Sequence, residues 1–421
     1  MKILLISHNP ISSMSNMGKT FRTMFSAFDR SELCQLYIYP SYPDEPYCSS
    51  FYRVTDKDVL KKLSPGGEVE VRHIHEGQTL FENAGDESVY RNVKNKSPLR
   101  RLARDMIWQR GNWYNKKLKA WLDKENPTCI FLSPGPARFI YSIALKIAKE
   151  RQIPIVTYIC DEYYFVAPEK TLLGKWRLSL LKRKVEQTMK KTSLVVGISK
   201  EIETLYSKTF SVPATVLMTG SGRELAEKPQ LQDSPQTLAY FGNIRVGRYA
   251  SLAAIGRALD DINAERGTSY RLHIYTGEKD PLFLEPLDKV ASIERHGFLS
   301  GEAFVKAMNE AGALVHTEAF DEENIDRVRH SVSTKIADSL ACGIPLFAYG
   351  PACVSSMSHL IDHDCAITAT SEAELKESLC RLFDDRTFCE TCVKNALAAA
   401  AEWHNTEVNS KRLYDLLQQQ K

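Results

Sequence analysis

A short stretch in the C-terminal third of the chain combines hydroxyl, ammonium and carboxylate side chains at the start of a predicted helix. Ser333 and Thr334 can cap the helix N-terminus, and Lys335 follows them directly. Free backbone N–H groups at a helix N-terminus, together with a neighbouring ammonium, attract phosphate. Asp338 stands about one turn further on, where a carboxylate can accept hydrogen bonds from sugar hydroxyls. The same pattern is also typical of an ordinary capped helix whose lysine and aspartate face solvent.

Candidate catalytic side chains in the first half of the chain follow predicted buried strands. His8 comes after the apolar run 3–6, and Asp161 comes after the run 155–160. Gly135 lies in the loop after the run 129–132, where a glycine permits close approach of a ligand. Ligands of open α/β sheets bind beyond the carboxyl ends of the strands, which favours a site here. Acidic residues also simply end strands and glycines also start helices, so the structural interpretation stays open.

The loop after the first strand ends in Gly18-Lys19-Thr20, which imitates a nucleotide-binding P-loop. A P-loop requires glycine where Ser13 stands, because the backbone must wrap closely around the phosphates there. The imitation is therefore incomplete. A loop of small residues that opens a helix at Gly18 can still border a substrate cleft.

Short apolar runs alternate with amphipathic stretches, and this alternation occurs in two series. The first series covers 3–6, 36–39, 129–132, 155–159 and 194–198; the second covers 237–242, 272–275, 292–296, 313–316 and 346–349. Such alternation predicts parallel sheets with crossover helices. We therefore expect an α/β protein with two doubly wound, Rossmann-like domains facing a cleft, at residues 1–220 and 236–404. A polar, proline-containing segment, 221–235, separates them, and a final helix, 405–421, is expected to pack back on the first domain.

Composition narrows the class of protein. The chain has 421 residues, of which 43% are hydrophobic and 25% charged, so two globular domains are expected. A formal net charge of +3 is too small to indicate nucleic-acid binding. No signal peptide and no membrane-spanning run is recognisable, so a reducing, cytoplasmic location is expected.

Metal-binding patterns are weak in this sequence. Of the ten cysteines, only Cys389 and Cys392 have a two-residue spacing, and no second such pair accompanies them. The pairs His73/His75 and His359/His363 lack the carboxylate of the zinc-protease arrangement. Neither a metal nor another cofactor is expected.

Two basic regions contain interleaved aromatic residues. One runs from Arg100 to Trp121 and the other from Lys175 to Lys191. Lysine and arginine beside tryptophan suit peripheral contact with an anionic membrane surface, where aromatic rings sit at headgroup level. Solvated helix faces explain the same pattern equally well, and no nucleic-acid-binding module accompanies the charge.

The segment Tyr240-Phe241-Gly242-Asn243-Ile244-Arg245-Val246-Gly247-Arg248, taken with the helix that starts near Ser333, resembles the nucleotide-sugar half of GT-B glycosyltransferases of the group 1 (family 4) type. The resemblance implies that Gly242, Arg245 and Arg248 approach the donor diphosphate. It also implies a carboxylate pair, matched here by Asp338 and Glu318. Members of the family have a glutamate where Asp338 stands, and the insertion 321–330 stretches the spacing of the pair.

The resemblance implies a metal-independent glycosyltransferase that moves a sugar from a nucleotide-sugar donor to a glycan or lipid-linked acceptor. Polysaccharide or glycoconjugate biosynthesis at the inner membrane face would be its setting. Arg245, Arg248 and Lys335 would stabilise the departing diphosphate, while His8 or Asp161 would face the acceptor. Two alternatives share this architecture: a nucleotide-sugar epimerase, and a non-catalytic module that binds a glycan or a protein.

Overall fold

The computed structural model describes residues 1–12, 16–60, 66–72, 97–233 and 235–420. The chain divides into two compact units. Unit 1 consists of Met1–Gly220 with Thr406–Lys421, and unit 2 consists of Ser221–Asn405. None of the helices in the described ranges combines the length and apolarity that crossing a bilayer requires.

The described part of unit 1 contains an eight-stranded sheet in the order β4-β3-β2-β1-β5-β6-β7-β8. Its strands are β1 (Ile3–Ser7), β2 (Leu33–Tyr37), β3 (Ser50–Arg53), β4 (Gly67–Val69), β5 (Cys129–Leu132), β6 (Ile155–Ile159), β7 (Thr192–Gly197) and β8 (Ala214–Val216). All neighbours pair in parallel except β3 and β4, which are antiparallel. Strands β1, β2, β5 and β6 are buried along their whole length, as expected for a parallel sheet covered on both faces.

Helices connect and cover these strands. They are α1 (Asn16–Met24), α2 (Asp56–Leu60), α3 (Pro98–Arg110), α4 (Lys116–Glu125), α5 (Arg138–Arg151), α6 (Leu172–Met189) and α7 (Lys200–Phe210), with α16 (Thr406–Gln418) at the chain end. The last helix packs on α1: Ser410 accepts a hydrogen bond from the Ala27 backbone N–H at 2.8 Å. Its Tyr414 ring meets Phe28 edge-on at 5.0 Å.

Unit 2 has a six-stranded parallel sheet in the order β11-β10-β9-β12-β13-β14. The strands are β9 (Thr237–Phe241), β10 (Arg271–Tyr275), β11 (Ile293–His296), β12 (Ala313–Thr317), β13 (Leu346–Tyr349) and β14 (Ile367–Ala369). Its helices are α8 (Arg248–Arg266), α9 (Pro281–Asp288), α10 (Gly301–Glu310), α11 (Glu322–Val328), α12 (Thr334–Ala341), α13 (Ser355–Asp362), α14 (Glu372–Asp384) and α15 (Arg386–Trp403). The strand order is the doubly wound one.

Three structural details differ from the sequence-based expectations. The segment 221–235 belongs to unit 2, because Ala226 and Gln230 donate backbone hydrogen bonds to the end of α12, at Ala341 and Gly343. Helix α1 begins at Asn16, which places Gly18 in its first turn. The short strands β3, β4, β8 and β14 were missed, because three or four residues carry too little periodicity to separate a strand from a loop.

Candidate functional site

The strand order of unit 2 reverses between β9 and β12. The chain leaves β9 toward β10 on one side and leaves β12 toward β13 on the other, so the loops after these two strands diverge. A crevice forms at such a point in doubly wound sheets, and it is their usual ligand site. Gly242 follows β9 directly and Glu318 follows β12 directly.

Arg248 and Glu318 form a two-pronged ion pair at this point. The Arg248 Nη2 lies 3.0 Å from Oε1 and 2.8 Å from Oε2 of Glu318, and its Nε lies 3.1 Å from Oε2. Only 1% of the Glu318 side chain is exposed. Burial raises the pKa of Glu318, and the Arg248 guanidinium opposes that shift. Both carboxylate oxygens thus hold the side chain of Arg248, the first residue of α8.

Lys335 brings a second cation to the same place. Its ammonium lies 5.1 Å from the centre of the Tyr240 ring and packs against Gly242, where a Cβ would overlap it. Gly242 has a φ of +124°, a conformation that other residues rarely adopt. The crowded surroundings of the ammonium and the nearby Arg248 lower the pKa of Lys335 to about 8. As a whole, the residue Lys335 is exposed.

His316 completes the buried part of this cluster. It is 7% exposed, and its Nε2 lies 3.4 Å from Glu318 Oε1. Burial, with help from the positive charges of Arg248 and Lys335, lowers the pKa of His316 to about 3. The His316 imidazole is therefore neutral at ordinary pH.

The loop between β9 and α8 has an unusual backbone. Val246 has a φ of +61° and Gly247 one of +73°. A β-branched residue at positive φ is strained, and such strain concentrates at functional loops. A Cβ at Gly247 would lie 2.5 Å from the Ala319 Cβ, so this loop closely approaches the chain after β12. The loop conformation places Arg248 beside Glu318.

Arg245 is separated from the cluster by an ion pair of its own. Its guanidinium pairs with Glu278 and lies 5.0 Å from the centre of the Phe283 ring. Arg245 lowers the pKa of Glu278 to about 2. About half of the Arg245 side chain is exposed, so it can exchange Glu278 for another anion.

The start of α12 presents the remaining predicted donor residues. Ser333 is the N-cap but makes no capping bond with its side chain, and its backbone N–H donates to Ser356 Oγ at 3.0 Å. Thr334 is exposed. The Asp338 Oδ1 accepts from the Ser221 hydroxyl at 3.0 Å and from the Gly222 N–H at 2.9 Å. A ribose at Asp338 would have to use the other carboxylate oxygen.

The predicted residues of unit 1 lie at its own reversal of strand order, between β1 and β5. A Cβ at Gly135 would lie 2.6 Å from His8 Nε2, so these two residues are in contact. The exposed Asp161 follows β6, and its Oδ2 accepts from the Tyr163 hydroxyl at 3.3 Å. Gly18 is buried in α1. The structure thus brings His8 and Gly135 together. Asp161 lies at the end of β6, the strand next to β5.

His316 and Tyr240 belong to the cluster but were not predicted to do so. Both lie within strands, at positions that periodicity assigns to the core. Only His316 could have been recognised from the sequence, because it stands two residues before Glu318, a carboxylate at a strand end.

Histidine and carboxylate side chains come together in unit 2 at a second place. In the described ranges, one group of three histidine or carboxylate residues is close enough to share an ion: His273, Glu294 and His296. His359 instead lies 3.1 Å from His404, nitrogen to nitrogen, and both are buried. His73 and His75 lie outside the described residues.

No protein-family model matches the sequence, and no curated protein sequence matches it. Solved structures do match, over nearly the whole chain. Sucrose-phosphate synthase from Thermosynechococcus elongatus has a TM-score of 0.60 at 13% identity, over 99% of this chain and 98% of that one. HepE from Anabaena, in complex with UDP-glucose, has a TM-score of 0.60 at 12% identity, over 100% of both chains.

Two further structures extend the comparison. The UDP-forming α,α-trehalose-phosphate synthase from Burkholderia xenovorans, in complex with glucose-6-phosphate, has a TM-score of 0.63 at 11% identity, over 99% of this chain and 100% of that one. The UDP-GlcNAc 2-epimerase from Neisseria meningitidis, bound to UDP-GlcNAc, has a TM-score of 0.51 at 11% identity, over 100% of both chains. These matches, with the two doubly wound units, show that the chain has the GT-B fold expected from its sequence.

Proposed function

We propose that this protein is a glycosyltransferase that moves a sugar from a nucleotide-sugar donor to a glycan or lipid-linked acceptor. The observation that carries the proposal is the presence of two cations at the reversal of strand order in unit 2: Lys335, packed against Gly242, and Arg248, held by Glu318. Two cations at a ligand crevice suit a diphosphate, and the missing side chain of Gly242 leaves room for the Lys335 ammonium.

The cluster stabilises charge where glycosyl transfer creates it. When the bond between the sugar and the diphosphate breaks, the departing nucleoside diphosphate gains negative charge. Glu318 neutralises most of the charge of Arg248, so the net positive charge of the cluster resides on Lys335. The exposed first turn of α12 adds the partial positive charge of a helix N-terminus. Arg245 can add a third cation by leaving Glu278.

Glu318 acts as a positioning residue in this proposal. With both oxygens bound to Arg248 and 1% of its side chain exposed, it does not reach a sugar. Holding Arg248 in one rotamer removes the entropy cost of ordering that side chain when the donor binds. The neutral His316 beside the pair adds no competing positive charge.

Unit 1 would supply the acceptor side. An acceptor hydroxyl must lose a proton as it attacks the sugar, and a histidine or carboxylate at the carboxyl edge of the sheet can accept it. His8 and Asp161 are the residues in that position, and Gly135, which has no Cβ, leaves room for the His8 ring itself.

A lipid-linked acceptor is supported by the surface of α3 and α6. Leu99, Leu172 and Trp176 are 63%, 86% and 56% exposed, and Arg100 and Lys175 are exposed next to them in sequence. The same surface supports peripheral binding to an anionic membrane. The first basic region contributes less than its sequence suggests, because its tryptophans are buried: Trp108, Trp113 and Trp121.

Uridine nucleotides are the first to test, because the matching HepE structure contains UDP-glucose and the matching epimerase structure contains UDP-GlcNAc. Isothermal titration should be run with a panel of nucleoside diphosphates and nucleotide sugars, against wild type and Lys335→Ala. The control is Lys376→Ala, because Lys376 pairs with Glu265 near the other end of α8. We expect binding of at least one nucleotide that Lys335→Ala weakens by about tenfold or more, which corresponds to one charge-assisted contact. Absence of binding across the panel, or equal binding by both lysine variants, would contradict the proposal.

The alternatives are separated by incubating a bound nucleotide sugar with the protein. Conversion of the donor to its epimer without acceptor would indicate an epimerase, which the match to the Neisseria enzyme keeps as the second candidate. Nucleotide binding without turnover on any acceptor would indicate a binding module.

A further inference from the structure

Three side chains with metal-binding atoms meet on one face of the unit 2 sheet. His273 lies on β10, and Glu294 and His296 lie on β11, the edge strand. The register pairs His273 with Glu294. Because side chains alternate between the two faces of a strand, Glu294 and His296 point to the same face, and His273 joins them there. The regular sheet therefore fixes this arrangement.

The distances fit a single ion. The Nδ1 of His273 lies 2.8 Å from the Nε2 of His296. The Glu294 Oε2 lies 3.7 Å from the first of these nitrogens, and its Oε1 lies 3.6 Å from the second. Two atoms that bind one zinc ion at about 2 Å each are at most about 4 Å apart, and all three separations meet that limit.

We propose that His273, Glu294 and His296 bind a divalent transition-metal ion of the zinc class, and that the ion clamps the edge strand β11 to β10. Two imidazoles and a carboxylate favour zinc, nickel or copper over magnesium or calcium, which prefer all-oxygen sites. Glu294 is exposed, so water can complete the coordination. The site adds to the proposed function and does not depend on it.

The surroundings hold the ligands in place. The His296 ring stacks on Tyr275 at 4.6 Å, and Tyr275 stacks on Phe241 at 4.7 Å. The negative charge of Glu294 attracts a metal cation, while the positive charge of the nearby Arg271 repels it. Arg295 pairs with Asp288 and, by the alternation of the strand, points to the opposite face. Since the two imidazoles share one hydrogen bond, one nitrogen already presents its lone pair.

Titration of the metal-free protein with ZnCl₂ tests the proposal, and Co²⁺ serves as the spectroscopic probe. We expect one Zn²⁺ per chain, a higher melting temperature with Zn²⁺, and a Co²⁺ spectrum of nitrogen and oxygen ligation without a thiolate band. His296→Gln should weaken Zn²⁺ binding by more than about 100-fold, since loss of an outer-shell partner alone costs roughly 10–100-fold. Glu294→Gln should weaken it less.

Two variants serve as controls. His363→Gln removes a histidine elsewhere in unit 2, and Cys353→Ser removes an exposed thiol of unit 2. Both should bind Zn²⁺ as wild type does. Circular dichroism checks that His296→Gln is folded, and the wild-type Co²⁺ spectrum reports the ligands without any substitution. A thiolate band, no stoichiometric binding, or unchanged binding by folded His296→Gln would each overturn the proposal.

Discussion

Arg248 donates three hydrogen bonds of 2.8–3.1 Å to Glu318 across the point where the unit 2 sheet reverses its strand order. One partner starts α8 and the other follows β12. Since Ser251 also donates to the Glu318 backbone oxygen at 2.8 Å, the two elements are tied together twice. The pair therefore links the fold of unit 2 to the position of a cation at the proposed donor site.

Replacing Glu318 by Gln should destabilise unit 2 by about 3 kcal/mol, because it leaves the Arg248 charge without its partner in a site of low exposure. Denaturant unfolding followed by tryptophan fluorescence and circular dichroism measures this. The exposed pair of Arg266 and Asp384 is the control: Asp384→Asn should cost less than about 1 kcal/mol.

A double variant separates stability from binding. Arg248→Met with Glu318→Leu removes both charges, so it should recover most of the lost stability. It should still bind the nucleotide more weakly than wild type. If the double variant bound as well as wild type, Arg248 would have no role in the donor site.

Nucleotide binding should weaken as the pH rises above about 8. The pKa of Lys335 is lowered from 10.5 to about 8, so this ammonium loses its proton in a range where the diphosphate is already fully ionised. The dissociation constant should then rise toward tenfold per pH unit between pH 8 and 9.5. Lys335→Arg keeps its charge at these pH values and should show a flat profile. A wild-type profile as flat as that of the arginine variant would exclude Lys335 from the diphosphate site.

The doubly wound fold was predictable because five apolar runs in each half have strand length and regular spacing. Arg245 and Arg248 could be selected as candidates because they follow a glycine at a strand end. The contact of Lys335 with Gly242 could not be predicted, since the two are far apart in the sequence. The pairing of Arg248 with Glu318 was not, since they are 70 positions apart and only the adjacency of β9 and β12 brings them together. The bonds from Ser221 and Gly222 to Asp338 were hidden for the same reason: the segment was interpreted as a linker from its polar composition alone.

Gly242→Ala should abolish nucleotide binding while unit 2 stays folded. The new Cβ would occupy the position of the Lys335 ammonium and would force an unfavourable φ. Gly267→Ala is the matched control, because Gly267 has a φ of +65° but open space around its Cα. It should lose about 1 kcal/mol of stability and keep its affinity. Equal affinities for the two variants would mean that Gly242 does not face the ligand.

Leu172→Ser with Trp176→Ser should reduce binding to vesicles that contain anionic phospholipid by about tenfold or more, since each buried side chain contributes roughly 1.5–3 kcal/mol. Co-sedimentation measures the bound fraction, and added salt should lower it. Leu282→Ser, at a residue of unit 2 that is 68% exposed, is the control and should bind as wild type does. Binding that survives loss of both apolar side chains would place the membrane contact elsewhere.

His316 should make unit 2 sensitive to acid. Its pKa is lowered from 6.5 to about 3, so the folded state resists protonation that the unfolded chain accepts. The stability contributed by the neutral ring is complete above about pH 6.5 and is lost as the pH falls toward 3, at up to about 1.4 kcal/mol per pH unit.

His316→Asn should therefore flatten the slope of unfolding free energy against pH between 6 and 4, whatever it does to absolute stability. His359, whose pKa is also lowered to about 3, should leave a residual slope in that variant. A variant slope equal to that of wild type would mean that His316 is protonated in the folded protein, and NMR of its ring nitrogens at pH 5 would show the imidazolium.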